Sequence, residues 1–235
     1  KAGNADADIE HLFEAAEGRD VKVEPLDRVF LALQGPEAEA VVKDAGLAEA
    51  AGLSFMSGFE PKPGWFMTRS GYTGEDGFEI GLPADEAREL ATKLLADERV
   101  QIVVNLTTPE SHFGISRAAL AAGKHVYSEK PLGITFEEGK TLLNAAQKAG
   151  LRIGSAPDTF LGGSHQQARA VVDSGALGTI VGGTAFFQCP GHESWHPDPA
   201  FYYDIGGGPM LDMGPYYITD LVNLLGPVER VVAMS

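Results

Sequence analysis

The first hundred residues mix helical spacings with short apolar runs. Apolar side chains recur at helical intervals in residues 5–17, 37–43 and 83–95. Short β-like runs lie at residues 21–26, 29–33, 53–56, 65–69 and 77–82. This pattern predicts a segment of α+β structure.

The pattern changes at about residue 100. Residues 102–106 form a continuous apolar run, which is typical of a strand that is buried on both faces. Strands at 102–106, 125–128 and 151–154 alternate with helices at 111–122 and 136–149. This alternation predicts a parallel sheet with crossover helices. A helix at 164–174 and a long strand at Thr179–Gln188 are predicted to follow and to begin an α+β C-terminal region.

The composition and charge of the chain argue against several classes of function. The chain has 235 residues, enough for one large α/β domain or two small ones, and 44% of them are hydrophobic. A net charge of −15 argues against a nucleic-acid partner and against an anionic membrane surface. No apolar run is long enough to cross a bilayer, and the N-terminus has neither a signal-peptide pattern nor an initiator Met.

Cys189 is the single cysteine, so no internal disulfide is possible. We therefore expect a reducing, cytoplasmic environment and a small buried thiol at this position.

Residues 68–80 combine glycines and carboxylates at the entrance of a strand. By spacing alone this segment is a polar turn. Together with residues 30–36 and 2–4, however, it resembles the glycine-cleavage aminomethyltransferase (T-protein) family over roughly residues 1–96. The resemblance implies tetrahydrofolate binding, with the Glu79 carboxylate hydrogen-bonded to the pterin ring and Tyr72 nearby. It also implies a catalytic aspartate and an arginine-containing segment, neither of which this sequence contains.

Two polar segments follow successive strands of the predicted parallel sheet. Residues 105–109 and His112 come after the first strand, and residues 129–131 come after the second. Loops at the carboxyl ends of parallel strands are where open α/β sheets bind ligands. The alternative is that Pro109 and Pro131 simply begin helices and that Lys130 is a surface lysine.

These segments, with the glycine-rich residues 206–216, resemble the Gfo/Idh/MocA family of NAD(P)-dependent oxidoreductases from about Val100 onward. The resemblance implies a partial Rossmann-like sheet and a cofactor site lined by Thr107, Thr108, Pro109, His112 and Glu129. It places Lys130 between nicotinamide and substrate, where a cation would stabilise developing negative charge. It gives Asp212 the role of orienting the substrate.

Tyr216 occupies the position at which many members of this family have a catalytic histidine. It is a candidate acid or base, or else a packed aromatic residue. A second departure is the absence of a G-x-G-x-x-G turn, whose N–H groups would hold the pyrophosphate, and no ribose-binding acid is assignable.

His192 to His196 matches the zinc-peptidase pattern H-E-x-x-H. Because Pro197 pushes the residue before it out of helical geometry, we expect a substrate-contacting loop here and no metal site.

The predicted domains are 1–97, aminomethyltransferase-like, and 98–235, Gfo/Idh/MocA-like. The latter divides into a partial nucleotide-binding part (98–157) and the start of a substrate domain (158–235). The leading functional hypothesis is an NAD- or NADP-dependent oxidoreductase acting on a sugar- or polyol-like small molecule. The alternatives are a tetrahydrofolate-binding aminomethyltransferase fragment, and a recombined or designed chain without activity. An unfinished sheet edge also favours a homo-oligomer.

Overall fold

The chain contains two compact units, each with its own sheet. A computed structural model describes residues 5–196 and 199–234. The units are Lys1–Gln101 and Ile102–Ser235. The first has an antiparallel sheet and the second a parallel one, so the predicted mixed α/β fold with a parallel sheet is confirmed. Among the described residues, no helix has both the length and the apolar character needed to cross a membrane.

The described residues of the first unit form a four-stranded sheet and three α-helices. In chain order the elements are α1 (Ala5–Ala16), β1 (Val29–Gln34), α2 (Ala38–Asp44), β2 (Ser57–Phe59), β3 (Phe66–Arg69), β4 (Gly77–Leu82) and α3 (Ala84–Ala96). A short 3₁₀ helix, Ala48–Gly52, follows α2. The strand order is β1-β4-β3-β2, and neighbouring strands are antiparallel.

Strand β4 lies inside the sheet, and its successive side chains point alternately to the two faces of the sheet. Phe78, Ile80 and Leu82 are fully buried and form the core with apolar residues of α2 and α3. Glu79 lies between them in sequence and therefore points to the opposite face, where it pairs with Ala32 of β1 and Thr68 of β3. Phe30 and Phe66, both exposed, flank Gly81 on that same face. This face is consequently open.

The Arg69 side chain holds several parts of the first unit together. Its guanidinium donates to Asp76 (2.8 and 2.5 Å) and to Glu39 of α2 (2.9 Å). It also donates to the backbone oxygens of Ala51 and Leu53, at 3.0 and 3.2 Å. One side chain therefore connects β3 with the turn before β4, with α2 and with the 3₁₀ segment.

The second unit has a three-stranded parallel sheet with the order β5-β6-β7. Its elements are β5 (Ile102–Asn105), α4 (Pro109–Ala121), β6 (His125–Ser128), α5 (Phe136–Ala149), β7 (Ile153–Ser155), α6 (Gly163–Asp173), α7 (Pro209–Asp212) and α8 (Gly214–Leu225). Two 3₁₀ helices, Thr159–Leu161 and Pro199–Tyr203, lie in the connections.

Several features predicted from the sequence are wrong. The β-like runs at residues 21–26 and 53–56 are not strands, and β2 begins only at Ser57. Residues 179–188 are not a strand either, since a strand needs a hydrogen-bonded neighbour and none of the described residues pairs with them. Cys189, expected to be buried, is exposed in the same surface segment.

The prediction that β5 is buried on both faces is also wrong. Ile102 and Val104 are each 57% exposed, whereas Val126 is buried, as are Ala119 and Leu120 of α4 and Leu142 and Ala146 of α5. Among the described residues of the second unit, helices cover one face of this sheet only.

We predict that Arg69→Gln lowers the free energy of unfolding of the first unit by about 1–2 kcal/mol, because acceptors on three segments lose their shared donor. Chemical denaturation followed through Trp65, the buried tryptophan of this unit, in a Trp195→Phe background would measure the loss. Arg88→Gln on the exposed side of α3 is the matched control. Equal stability of the two variants would contradict the role assigned to Arg69.

The contact between Arg69 and Asp76 also predicts how the effect of Arg69→Gln on stability depends on pH. The Arg69 hydrogen bond holds the pKa of the Asp76 carboxyl below its ordinary value. A carboxyl whose folded-state pKa is lowered contributes stability above its unfolded pKa, and this contribution is lost as the pH falls through the folded value. The destabilisation caused by Arg69→Gln should therefore shrink between neutral pH and about pH 3. A difference that stays constant over this range would contradict the assignment.

Candidate functional site

Asn105 organises the loop at the carboxyl end of β5. Its side chain is 2% exposed. The Nδ2 group donates to the His112 backbone oxygen and to Ser116 Oγ, both at 3.1 Å. The Oδ1 atom accepts from the Thr107 hydroxyl at 2.7 Å and from its backbone N–H at 3.3 Å. A single buried amide thus fixes the path of the chain from β5 into α4.

His112 joins the loop after β5 to the loop after β6. Its ring is 1% exposed, with Nδ1 2.7 Å from the Pro131 oxygen and Nε2 2.8 Å from the Thr107 oxygen. Both partners are carbonyls, so the ring donates to both only when it carries two protons. His112 lies in the interior, between the loops, where it holds them together.

Thr107, Thr108 and Pro109 form the outer part of the first loop. The two threonines are exposed, and Pro109 is the first residue of α4. Thr108 Oγ1 lies 3.4 Å from Ser111 Oγ, and a hydrogen bond from Thr108 holds the pKa of the Glu110 carboxyl below its ordinary value. The two threonine side chains therefore offer hydroxyl groups at the carboxyl end of the sheet.

Lys130 follows β6, and its side chain reaches Asp212, 82 positions later in the sequence. Its Nζ donates to Asp212 Oδ1 at 2.6 Å and to the Asp212 backbone oxygen at 2.8 Å. The Lys130 side chain is 17% exposed and that of Asp212 is 37% exposed. Nζ also lies 5.4 Å from the centre of the Tyr216 ring, a cation–π contact. Lys130, Asp212 and Tyr216 are thus brought together.

Glu129 is half-buried beside this cluster. Its Oε2 accepts from the Lys130 backbone N–H at 2.8 Å, and its own N–H donates to the Asn105 oxygen at 2.8 Å. The peptide bond between Lys130 and Pro131 is cis. Through these contacts Glu129 links the Lys130 loop to the end of β5.

A glycine turn positions Asp212. Gly206, Gly207 and Gly208 precede α7, which ends at Asp212. A Cβ atom at Gly207 would lie 2.6 Å from the Phe201 oxygen and 2.7 Å from the Tyr202 oxygen, closer than carbon and oxygen approach. Only glycine lets the turn pack directly on the 3₁₀ helix Pro199–Tyr203.

Glu79 and Tyr72 belong to the first unit. Glu79 is half-buried on the open face of the antiparallel sheet. Tyr72, 82% exposed, lies in the turn before β4. Residues 2–4, which also carry the aminomethyltransferase resemblance, lie outside the described residues.

The H-E-x-x-H segment forms a single turn, in which the His196 N–H donates to the His192 oxygen at 2.9 Å. The His192 ring stacks on Tyr202 with 3.7 Å between the ring centres. Across the described residues, no three His, Cys, Asp or Glu side chains meet as potential metal ligands. Pro197, on which the sequence argument rested, lies outside the described residues.

Comparison with known families shows a composite chain. Residues 165–235 match the GFO/IDH/MocA C-terminal domain, and residues 70–156 match the oxidoreductase family with an NAD-binding Rossmann fold. Residues 1–107 match the GCVT N-terminal domain. Both resemblances found in the sequence are therefore confirmed, and the two family matches overlap at residues 70–107.

Individual relatives divide in the same way. An uncharacterized oxidoreductase of Schizosaccharomyces pombe is 32% identical over 145 residues, which are 60% of this chain and 38% of that protein. An aminomethyltransferase of Francisella philomiragia is 35% identical over 130 residues, 54% of this chain and 34% of the relative. The chain thus spans little more than a third of the length of either protein.

Among solved structures, an NAD binding oxidoreductase from Klebsiella pneumoniae has 25% sequence identity and a TM-score of 0.48. That match covers 60% of this chain and 42% of the other.

We predict that His112→Leu lowers the free energy of unfolding of the second unit by about 1–3 kcal/mol, because the imidazole donor between the Thr107 and Pro131 carbonyl oxygens would be lost from the interior. Differential scanning calorimetry of the full chain would detect the lower transition temperature of this unit. His11→Leu, on an exposed position of α1, is the control for the substitution itself. An unchanged transition would show that water replaces the imidazole without loss.

Proposed function

We propose that the chain is an NAD(P)-dependent oxidoreductase of the Gfo/Idh/MocA type that acts on a hydroxyl or carbonyl carbon of a sugar- or polyol-like molecule. The observation that carries the proposal is the contact of Lys130 Nζ with Asp212 Oδ1 at 2.6 Å, at the carboxyl end of the parallel sheet. The family matches over residues 70–156 and 165–235 support the same class of reaction.

Lys130 is suited to holding a substrate oxygen. An ammonium group has three N–H donors, and Asp212 accepts two of them, at Oδ1 and at the backbone oxygen. The third N–H remains for a hydroxyl or carbonyl oxygen. A cation fixed in this way stabilises negative charge that develops on that oxygen without having to reorient.

Asp212 and Tyr216 complete the proposed substrate contacts. Among the described residues, Asp212 Oδ2 has no protein donor, so it can accept a hydrogen bond from a substrate hydroxyl. The Tyr216 ring supports the position of the Lys130 ammonium from α8. Its hydroxyl is the candidate for passing a proton to or from the substrate.

The residues present fit the nicotinamide end of the cofactor. The hydroxyls of Thr107 and Thr108 and the ammonium of Lys130 lie on the two loops that His112 joins. When bound, the cofactor supplies the hydride acceptor or donor. The sequence has no G-x-G-x-x-G turn for the pyrophosphate, so we expect this chain to bind the cofactor weakly.

The decisive test is substitution of the lysine. Lys130→Met should lower cofactor-dependent oxidation of myo-inositol or glucose by at least roughly a hundredfold, because the positive charge beside the reacting oxygen is lost. Turnover is followed by NADH or NADPH absorbance, and binding separately by calorimetry with NADH. Lys148→Met, at the exposed end of α5, is the control. Turnover that survives in Lys130→Met would overturn the proposal.

A second candidate, tetrahydrofolate binding, is favoured by the placement of Glu79. The carboxylate lies on an open sheet face, beside Ala32 and Thr68, in a segment that matches the GCVT N-terminal domain. A carboxylate can accept two parallel N–H bonds from the edge of a pterin.

If tetrahydrofolate binds there, Glu79→Gln should weaken binding by about tenfold, since the amide replaces one acceptor oxygen with a donor. Glu75→Gln, in the exposed turn, is the matched control. Calorimetric titration would measure both variants. If neither tetrahydrofolate nor NADH nor NADPH binds, the third hypothesis, a recombined or designed chain without activity, is favoured.

A further inference from the structure

Aromatic side chains cluster just before the glycine turn of the second unit. We call them the aromatic platform: His192, Trp195, His196, Phe201, Tyr202 and Tyr203. Each ring contacts at least one other member of the platform, with ring centres 3.7 to 6.2 Å apart. The platform thus comes from two segments, the turn at residues 191–196 and the 3₁₀ helix Pro199–Tyr203.

The platform has a buried layer and an exposed layer. Tyr202 is 5% exposed and His192 is 9% exposed, and their rings stack at 26°. Trp195 lies outside them, with its ring centre 4.8 Å from that of His192 and 5.5 Å from that of His196. The indole is nevertheless 64% exposed. A large apolar ring is therefore held by its neighbours and presented to solvent.

The turn that carries Trp195 also carries a carboxylate, that of Glu193. Glu193 is exposed and accepts a hydrogen bond from the Tyr203 hydroxyl. This bond holds the pKa of the Glu193 carboxyl below its ordinary value. Glu193 is therefore ionised at neutral pH, and its oxygens can accept hydrogen bonds from hydroxyl groups.

The platform is close to the Lys130–Asp212 pair. The backbone of Gly207 packs against the Phe201 and Tyr202 carbonyls, and Asp212 follows at the end of α7. Gly206 packs against Ile134, a few residues after Lys130. Burial raises the pKa of the Tyr202 hydroxyl, and the Asp212 charge raises it further. The platform and the pair thus belong to one local structure.

From this arrangement we infer that the platform is a carbohydrate-binding subsite, in which Trp195 stacks on the C–H face of a sugar or cyclic polyol and Glu193 accepts its hydroxyls. The inference rests on the proposed function, because it assigns the part of the substrate that lies away from the reacting carbon. The electron-rich face of an indole attracts the slightly positive C–H hydrogens of such a ring. An ionised carboxylate supplies the acceptor that neighbouring hydroxyls need.

The geometry favours a ring-shaped neutral ligand over an organic cation. Cation sites of aromatic type surround the charge with several ring faces. Here the rings mostly meet at tilted or edge-to-face angles, and Trp195 and Tyr203, each 64% exposed, are the most exposed residues of the six. The exposed indole of Trp195, the larger of these two side chains, suits the flat C–H face of a sugar ring better than an enclosed cation.

Calorimetric titration of the full chain with myo-inositol and with methyl glucoside, in the presence and absence of NAD⁺, would test the subsite. We expect dissociation constants on the order of 1 mM for the unmodified chain. Trp195→Ala should weaken binding by about tenfold, whereas Trp195→Phe, which keeps an aromatic face, should preserve most of it. Glu193→Gln should weaken binding as well. Phe186→Ala, an exposed aromatic residue outside the platform, is the control.

A second readout uses the indole itself. Sugar binding should shift the tryptophan emission of the unmodified chain to shorter wavelength, and the shift should be absent in Trp195→Phe, which retains only the buried Trp65 of the first unit. Circular dichroism of each variant confirms that it is folded.

The outcomes separate the subsite from the proposed function. Binding of neither sugar, or equal binding by Trp195→Ala and the unmodified chain, would overturn the subsite. So would binding of tetramethylammonium in place of the sugars, which would identify a cation site. If the sugars bind through Trp195 but NADH and NADPH do not bind, the subsite stands and the oxidoreductase proposal fails.

Discussion

The ion pair of Lys130 and Asp212 is the contact on which the candidate site depends. It connects positions 82 residues apart and joins the loop after β6 to the end of α7. An ammonium removed from water costs free energy unless acceptors surround it, and here two Asp212 oxygens and the Tyr216 ring provide that environment. The pair therefore fixes where a substrate oxygen would lie and also keeps the end of α7 beside the loop after β6.

A polar network beneath the pair keeps Lys130 in position. Asn105 shapes the first loop, His112 connects it to Pro131, and Glu129 holds the backbone N–H of Lys130. These contacts leave the loops at the carboxyl ends of β5 and β6 little freedom to separate. A lysine placed by its backbone in this way loses less conformational entropy when its ammonium engages a substrate than one on a mobile loop.

Sequence patterns predicted the helices and strands that are determined by neighbouring residues in the sequence. They failed for segments whose structure depends on pairing with a distant strand. Helix α5 was predicted because its apolar spacing is regular, and Thr135 and Glu138 cap its start. The apolar run at 179–188 satisfies strand propensity equally well, but propensity does not supply a neighbouring strand. Helix α8 was missed because Gly214 and Pro215 resemble a turn. The family resemblance identified Lys130 and Asp212 as site residues. No local sequence pattern, however, predicts that their side chains lie 2.6 Å apart. A substrate-contacting loop was expected at His192–His196, but its packing on the 3₁₀ helix Pro199–Tyr203 and the organising role of Asn105 were missed, since both come from contacts between segments.

The packing at Gly207 makes this position intolerant of change although it carries no side chain and donates no group to chemistry. The carbonyls of Phe201 and Tyr202 occupy the space into which any Cβ would project. Even alanine would push the turn away from the 3₁₀ helix and carry both Asp212 and the aromatic platform with it. In a randomised library, this glycine would therefore be retained as strictly as Lys130, but for its packing and not for a chemical group.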